Sequence, residues 1–111
     1  MTPAPNPRRR LWRLHTITSI EHGVPVLFVE GRLGHQAAAE LERSLLEATS
    51  KEVAKIVIDL SGVDYLSSAA LKVFQSIAHR QSPHGGGLRL RAPSVAARYA
   101  LELAGLVELI D

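Results

Sequence analysis

Lys55 to Leu71, KIVIDLSGVDYLSSAAL, constrains this chain more than any other stretch. Lys55 to Leu60 carries the unbroken apolar run Ile56-Val57-Ile58, which predicts a strand buried on both faces, as in the middle of a parallel sheet. Ser61-Gly62 predicts a turn. A second apolar step, Val63-Asp64-Tyr65-Leu66, then delivers Ser67 and Ser68 to the start of a helix. A helix start presents unpaired backbone N–H groups and a partial positive charge. A serine placed there either caps the helix through its hydroxyl or carries a phosphate that the helix end accommodates. On the residues alone both readings stand, and the second would make the protein a switch.

The flanking sequence supplies the rest of a sheet. Leu14 to Glu21 alternates as a strand, with Leu14, Thr16, Thr18 and Ile20 on one side. His22-Gly23 predicts a tight reversal into a second strand, Val24 to Glu30, where Pro25 lies near the beginning and its missing donor does little harm. Gly31-Arg32-Leu33-Gly34 breaks the pattern. A helix is predicted over 36–49, with Ala38, Leu41, Leu45 and Ala48 inward and Glu40, Glu42, Arg43 and Glu47 outward. The helix that opens at Ser67 or Ser68 runs to about Arg80, burying Leu71, Phe74, Ile77 and Ala78, with Lys72, Gln75, Ser76 and His79 outward. Gln81 to Gly87 reads as a loop and Leu88 to Arg91 as a short strand. Ala92-Pro93-Ser94 restarts a helix that ends near Gly105, with Val95, Ala96, Tyr99, Leu103 and Leu106 available for packing. Val107 to Ile110 forms a last short strand or a docked tail. The order ββαβαβα predicts an α/β fold, one domain with a central mixed β-sheet, helices packed on it and right-handed crossovers.

Composition narrows the function. The 111 residues suit one domain. Aromatics are only 5%, too few for a surface that stacks nucleobases. The net charge of +2 is local: setting aside Arg8, Arg9, Arg10 and Arg13 leaves nine of the thirteen Lys and Arg against eleven acids. Residues 1–13, with Pro3, Pro5 and Pro7, therefore read as a disordered basic arm on a mildly acidic body spanning 14–111. Such an arm is a solvated tail, or it touches an acidic partner or nucleic acid. The second half of the chain is also basic, through His79, Arg80, His84, Arg89, Arg91 and Arg98, which is ordinary surface charge or a means of orienting an acidic partner.

Several chemistries are excluded. Without cysteine there is no disulfide or thiolate metal site, which fits a reducing cytoplasm. Arg8 to Trp12 superficially resembles a signal peptide, but Arg13 and His15 interrupt the apolar stretch. No window approaches the roughly 18 apolar residues of a membrane helix, so a soluble, cytoplasmic protein is expected. The histidines are scattered, and Gly85-Gly86-Gly87 lacks the Lys-Ser/Thr ending of a phosphate loop. There is no Gly-x-Ser-x-Gly elbow, and Asp59 and Asp64 have no histidine nearby to complete an acid–base set. Asp59 instead is expected to hydrogen-bond the turn that follows it. No enzyme, cofactor or metal is expected.

Val57 to Leu71 resembles the signature of the STAS domain family, shared by sulphate transporters and bacterial anti-sigma factor antagonists. The shared pattern is a strand, Asp59-Leu60-Ser61, Val63, the aromatic Tyr65, the pair Ser67-Ser68 and Leu71, and the element order agrees from about Leu14 to Ile110. The resemblance implies a regulator that works by binding protein. In such antagonists the serine that begins the helix is phosphorylated by the partner anti-sigma factor, itself a serine kinase that binds the ATP. Here that serine is Ser68. The unphosphorylated form would hold the anti-sigma factor and free the sigma factor for transcription; phosphorylation would end the binding and a phosphatase would restore it. Ser67, Ser68, Ala69 and Lys72 would line the docking surface, with Gly31, Arg32 and Gly34 on its rim. No direct nucleic-acid or membrane contact is implied. An alternative keeps the fold without phosphorylation, as a scaffold or transporter-associated subunit that binds one partner constitutively. The chain departs from the family pattern in having Ser67 in place of Asp, Gly34 in place of an acid, and Ala70 in place of Gly, whose methyl would crowd a closely docked partner.

Overall fold

The computed structural model describes residues 12–48, 55–81 and 87–111. Among these the order is β1 (Trp12–Glu21), β2 (Val24–Leu33), α1 (His35–Ala48), β3 (Lys55–Leu66), α2 (Ser68–Gln81), β4 (Gly87–Arg91) and α3 (Val95–Leu103), followed by a 3-10 turn over Val107–Leu109. The strands form one mixed sheet in the order β1-β2-β3-β4. β1 and β2 are antiparallel, joined by the predicted two-residue reversal. Both of its residues are left-handed, His22 at φ 55° and Gly23 at φ 80°, the conformation that matches the twist of a hairpin. The β2–β3 and β3–β4 pairs are parallel, as the intervening helices require.

β3 is where the structure corrects the sequence reading. Ser61-Gly62 is no turn: the strand runs unbroken for 12 residues. Phe28 pairs with Asp59 but Glu30 with Gly62, and Gly31 pairs with Val63 but Arg32 with Tyr65, so β3 twice carries one residue more than β2. Each bulge shifts the alternation of side chains by one. Ile56, Ile58 and Leu60 face the core at intervals of two, and Val63 and Leu66 then follow at intervals of three. Gly62 sits where β2 comes close. A Cβ placed there would lie 2.6 Å from Cβ of Glu30 and 3.3 Å from its Cα, so only glycine fits without movement.

β2 likewise extends past Glu30 to Leu33, with Gly31 at φ 97° absorbing the irregularity. β1 begins at Trp12, two residues before the expected boundary of the arm, and its pairing shifts between His15 and Thr18. Residues 1–11 of that arm, Arg8 to Arg10 included, lie outside the described residues, as does His84.

One apolar core joins α1 and α2 to the sheet. Ala37, Ala38, Leu41 and Leu45 come from α1; Ala70, Val73, Phe74 and Ile77 come from α2; Leu27, Val29, Leu33, Ile58, Leu60, Leu88 and Leu90 come from the strands. Leu71 and Ala78, expected in the core, are half-buried against it, and Gln81, expected in a loop, ends α2 fully buried. α3 contributes Ala97 and Leu101, with the half-buried Ala100 packed beside them and Leu106 just beyond it. Val95, Ala96, Tyr99 and Leu103 were expected to pack but are exposed, because Ser94 sets a different face of α3 against the sheet. Its hydroxyl accepts from the Ala97 amide at 3.2 Å and donates to the Val63 carbonyl. The last residues dock as a tail: Ile110 bridges Leu90, and the Asp111 amide donates to the Leu90 carbonyl at 2.8 Å. No helix among the described residues is long and apolar enough to cross a membrane.

Candidate functional site

The second bulge of β3 turns Leu66 into the core, and the chain passes at once into α2. Ser67 is the joint. Its amide donates to the Leu33 carbonyl at 2.9 Å, tying the end of β2 to the start of α2, and its carbonyl accepts from the Leu71 amide at 3.0 Å. Its hydroxyl accepts from the Ala70 amide at 3.2 Å. Ser67 is thus the N-cap of α2 and occupies one of the donors that a helix start leaves free. It is only 5% exposed, so it underlies the surface it was expected to line.

Ser68 is the first residue of α2 and is exposed. The cap fixes the chain immediately before it, so the outward direction of Ser68 is set by a buried neighbour. Ala69 is half-buried beside it, and Lys72, one turn along on the same side, is exposed. Ala70 is fully buried within the core. Its methyl therefore faces inward, on the inner side of the first turn, and does not crowd a partner docked on the outer side.

The Leu33–Ser67 bond brings the second segment alongside. Arg32 pairs in register with Tyr65, and its guanidinium lies over the Tyr65 ring, 4.5 Å from the centroid. Arg32 and Tyr65 are both exposed. Gly34 follows, and its carbonyl accepts from the Ala38 amide at 2.9 Å in the first turn of α1. A Cβ at Gly34 would meet nothing within 4 Å, so this rim is open. The starts of α1 and α2 consequently lie at one end of the sheet, and neither first turn carries an acid. Two positive helix ends, with Arg32 and Lys72 exposed near them, favour an anion at Ser68. The nearest acid in sequence is Asp64, which is exposed.

Asp59 belongs elsewhere. It is 8% exposed and lies on the sheet face away from Ile58 and Leu60. Its Oδ1 accepts from the Ser61 amide at 2.9 Å and the Ser61 hydroxyl at 2.6 Å, the local bonds that the sequence predicts. Its Oδ2 also accepts from Nε of Arg91 at 3.0 Å, and Nη1 of Arg91 reaches Glu21 at 2.9 Å. Burial pushes the Asp59 carboxyl up, but the bonds from Ser61 and Arg91 outweigh it and hold it below the ordinary carboxylate value. Arg91 also lies 5.6 Å from the ring centroid of Phe28. No local pattern announces this network, whose members are 32 and 70 residues apart.

That pairing also changes the reading of the basic second half. Arg89 pairs with Asp111, Arg91 with Asp59 and Glu21, and Arg98 with Glu102. Much of the excess is neutralised in place. A concavity of about 180 Å³, lined by Glu21, His22, Lys55, Val57, Arg89 and Arg91 among others, lies at the opposite end of β3 from Ser68. Among the described residues no group of three or more His, Cys, Asp or Glu is arranged to hold a metal ion.

A family model described as the STAS domain matches residues 15–111. The anti-sigma-F factor antagonist RsfB of Mycobacterium tuberculosis is 35% identical over 66 residues, covering 59% of this chain and 54% of RsfB. The chain's match thus spans about half the length of that curated relative. Among solved structures, an anti-sigma factor antagonist from Mycobacterium paratuberculosis superposes with a TM-score of 0.77 at 26% identity, over 88% of this chain and 83% of the other. The Bacillus cell fate determinant SpoIIAA in its phosphorylated form superposes with a TM-score of 0.67 at 18% identity, over 90% and 88%, a likeness of fold.

Proposed function

The chain belongs to the STAS domain family, and from that premise we propose that it is an anti-sigma factor antagonist that works by partner switching at Ser68. Unmodified, it binds an anti-sigma factor serine kinase through Ser68, Ala69 and Lys72, with Gly31, Arg32 and Gly34 at the rim and Ser67 as the buried support. The kinase transfers the γ-phosphoryl group of its own ATP to Oγ of Ser68. The hydroxyl proton leaves to a base on the kinase, and ADP remains there. A phosphatase returns the hydroxyl by hydrolysis. The chain is a substrate in this scheme and not an enzyme, and it works in the cytoplasm.

The observation that carries this reading is the division of labour between two adjacent serines. Ser67 is buried and spent on the cap; Ser68 is exposed, at the positive end of α2. Phosphorylation adds about −1.5 to −2 charges and three acceptor oxygens at a place the helix end tolerates. The fold need not change, but a partner pressed on Ser68 would have to desolvate a dianion. That costs on the order of 3 kcal/mol or more, a hundredfold or greater loss of affinity. The similarity to antagonists from two mycobacteria supports the class of partner.

The test is to incubate the chain with ATP and an anti-sigma factor kinase, locate any phosphate by mass spectrometry, and titrate both forms against the kinase. One phosphate on Ser68, absent from Ser68→Ala, and at least hundredfold weaker binding of the modified form are expected. Phosphate that persists in Ser68→Ala would overturn the assignment. Equal affinity of both forms would point to a constitutive scaffold.

A further inference from the structure

Among the described residues Lys72 is a cation without a counter-ion. It is exposed on α2, and no ion pair there uses it. Its neighbours three and four residues away along the helix are Ser68, Ala69, Gln75 and Ser76, none of them acidic. The helix contains no acid at all. Arg32, another exposed cation at this end of the sheet, is already laid over the Tyr65 ring.

Helix geometry directs Lys72 at Ser68. Residues four apart stand on one face of a helix, with Cβ atoms about 5–6 Å from each other. Long side chains on a helix lean towards its N-terminus, so the Lys72 stem runs back over the turn that Ser68 opens. An anion with a cation four residues later is also the order that suits the helix dipole. The cap completes the setting. Ser67 engages the amides of Ala70 and Leu71, which leaves those of Ser68 and Ala69 at the helix mouth. The hydroxyl of unmodified Ser68 is neutral and offers Lys72 little. A phosphate there brings about −1.5 to −2 charges, the counter-ion that Lys72 lacks.

We propose that Lys72 is the internal counter-ion of a phosphate on Ser68, pairing with it across one turn of α2. The inference rests on Ser68 being the modified residue. Before modification Lys72 stands free on the docking surface. Afterwards the phosphate holds it, so modification adds negative charge to that surface and also withdraws a cation from it. The pair strengthens the first turn of α2, which makes the modified chain the more stable one. The other charged or titratable groups exposed about Ser68 are Arg32 on β2, His35 at the start of α1 and Asp64 on β3. Lys72 alone of these shares the helix and the face of Ser68.

The test needs no kinase. The full chain is synthesised with Ser68 already phosphorylated, so its result is separate from whether an anti-sigma factor modifies that residue. Phosphorus NMR follows the second ionisation of the phosphate, which should fall about half a pH unit lower in the wild type than in Lys72→Gln. Phosphate should raise the thermal midpoint by about 4 °C in the wild type, and by less than half as much in Lys72→Gln. Without phosphate the two chains should unfold alike. Lys72→Arg keeps the charge and should keep both effects. A phosphate that titrates and stabilises equally in the wild type and Lys72→Gln overturns the proposal, as does Lys72→Arg behaving like Lys72→Gln.

Discussion

The amide of Ser67 donates to the carbonyl of Leu33 at 2.9 Å, and this bond joins the two segments that make up the candidate site. It fixes the end of β2, with Arg32 and Gly34, beside the start of α2. The same residue caps that helix. Ser67 therefore organises a surface to which it adds almost no area.

The two serines should respond to truncation in opposite ways. Ser67→Ala removes the cap and leaves the Ala70 amide without its acceptor, at a cost of about 0.5–2 kcal/mol. Ser68→Ala changes an exposed side chain and should stay within about 0.5 kcal/mol of the wild type. Urea unfolding of both variants measures the difference, and a large loss in Ser68→Ala would mean that its hydroxyl is structural.

Gly62→Ala should destabilise the domain by about 1–3 kcal/mol, because the new methyl meets the Glu30 backbone and Cβ and the two strands must separate. Gly34→Ala, where nothing lies within 4 Å, is the control for adding a methyl to a glycine of this segment and should cost much less. Comparable losses in both would contradict the close approach of β2 and β3.

Asp59 makes stability depend on acid. Its carboxyl titrates lower in the folded chain than in the unfolded one, since the bonds from Ser61 and Arg91 outweigh the burial that raises it. Unfolding below the ordinary carboxylate range, about pH 4, therefore takes up a proton, and stability falls as the pH drops through the folded value. Above that range this contribution is complete and constant. Thermal unfolding from pH 7 down to 3 should show the decline, with a shallower slope in Asp59→Asn.

Arg32→Ala tests the rim. The cation–π contact with Tyr65 is exposed, so its loss should cost no more than about 1 kcal/mol of stability. Kinase binding, measured by calorimetry, should weaken several-fold if the rim is part of the docking surface. Unchanged affinity would confine that surface to α2.

The hairpin at His22-Gly23, the three helices and the capping role of a serine before α2 were legible because each is written locally, in turn residues, apolar spacing or a hydroxyl at a helix start. Ser61-Gly62 misled for the same reason: locally it resembles a turn, and only pairing with β2 makes it part of a bulged strand. Asp59 was expected to serve the residues that follow it, and does so at Ser61, but Arg91 also reaches it from β4 and is held in turn by Glu21 of β1.

Residue order by itself determined the α/β alternation and the delivery of two serines to a helix start, since both follow from hydrogen-bond periodicity and chain-local chemistry. The tertiary structure decided which serine is covered, which face of α3 meets the sheet, and whether Ala70 points in or out. Those outcomes depend on rotations set by distant partners: two extra residues in β3, a carbonyl of β2 and the cap at Ser94. A side chain's exposure is a property of the surfaces brought against it, and no neighbour along the chain carries that information.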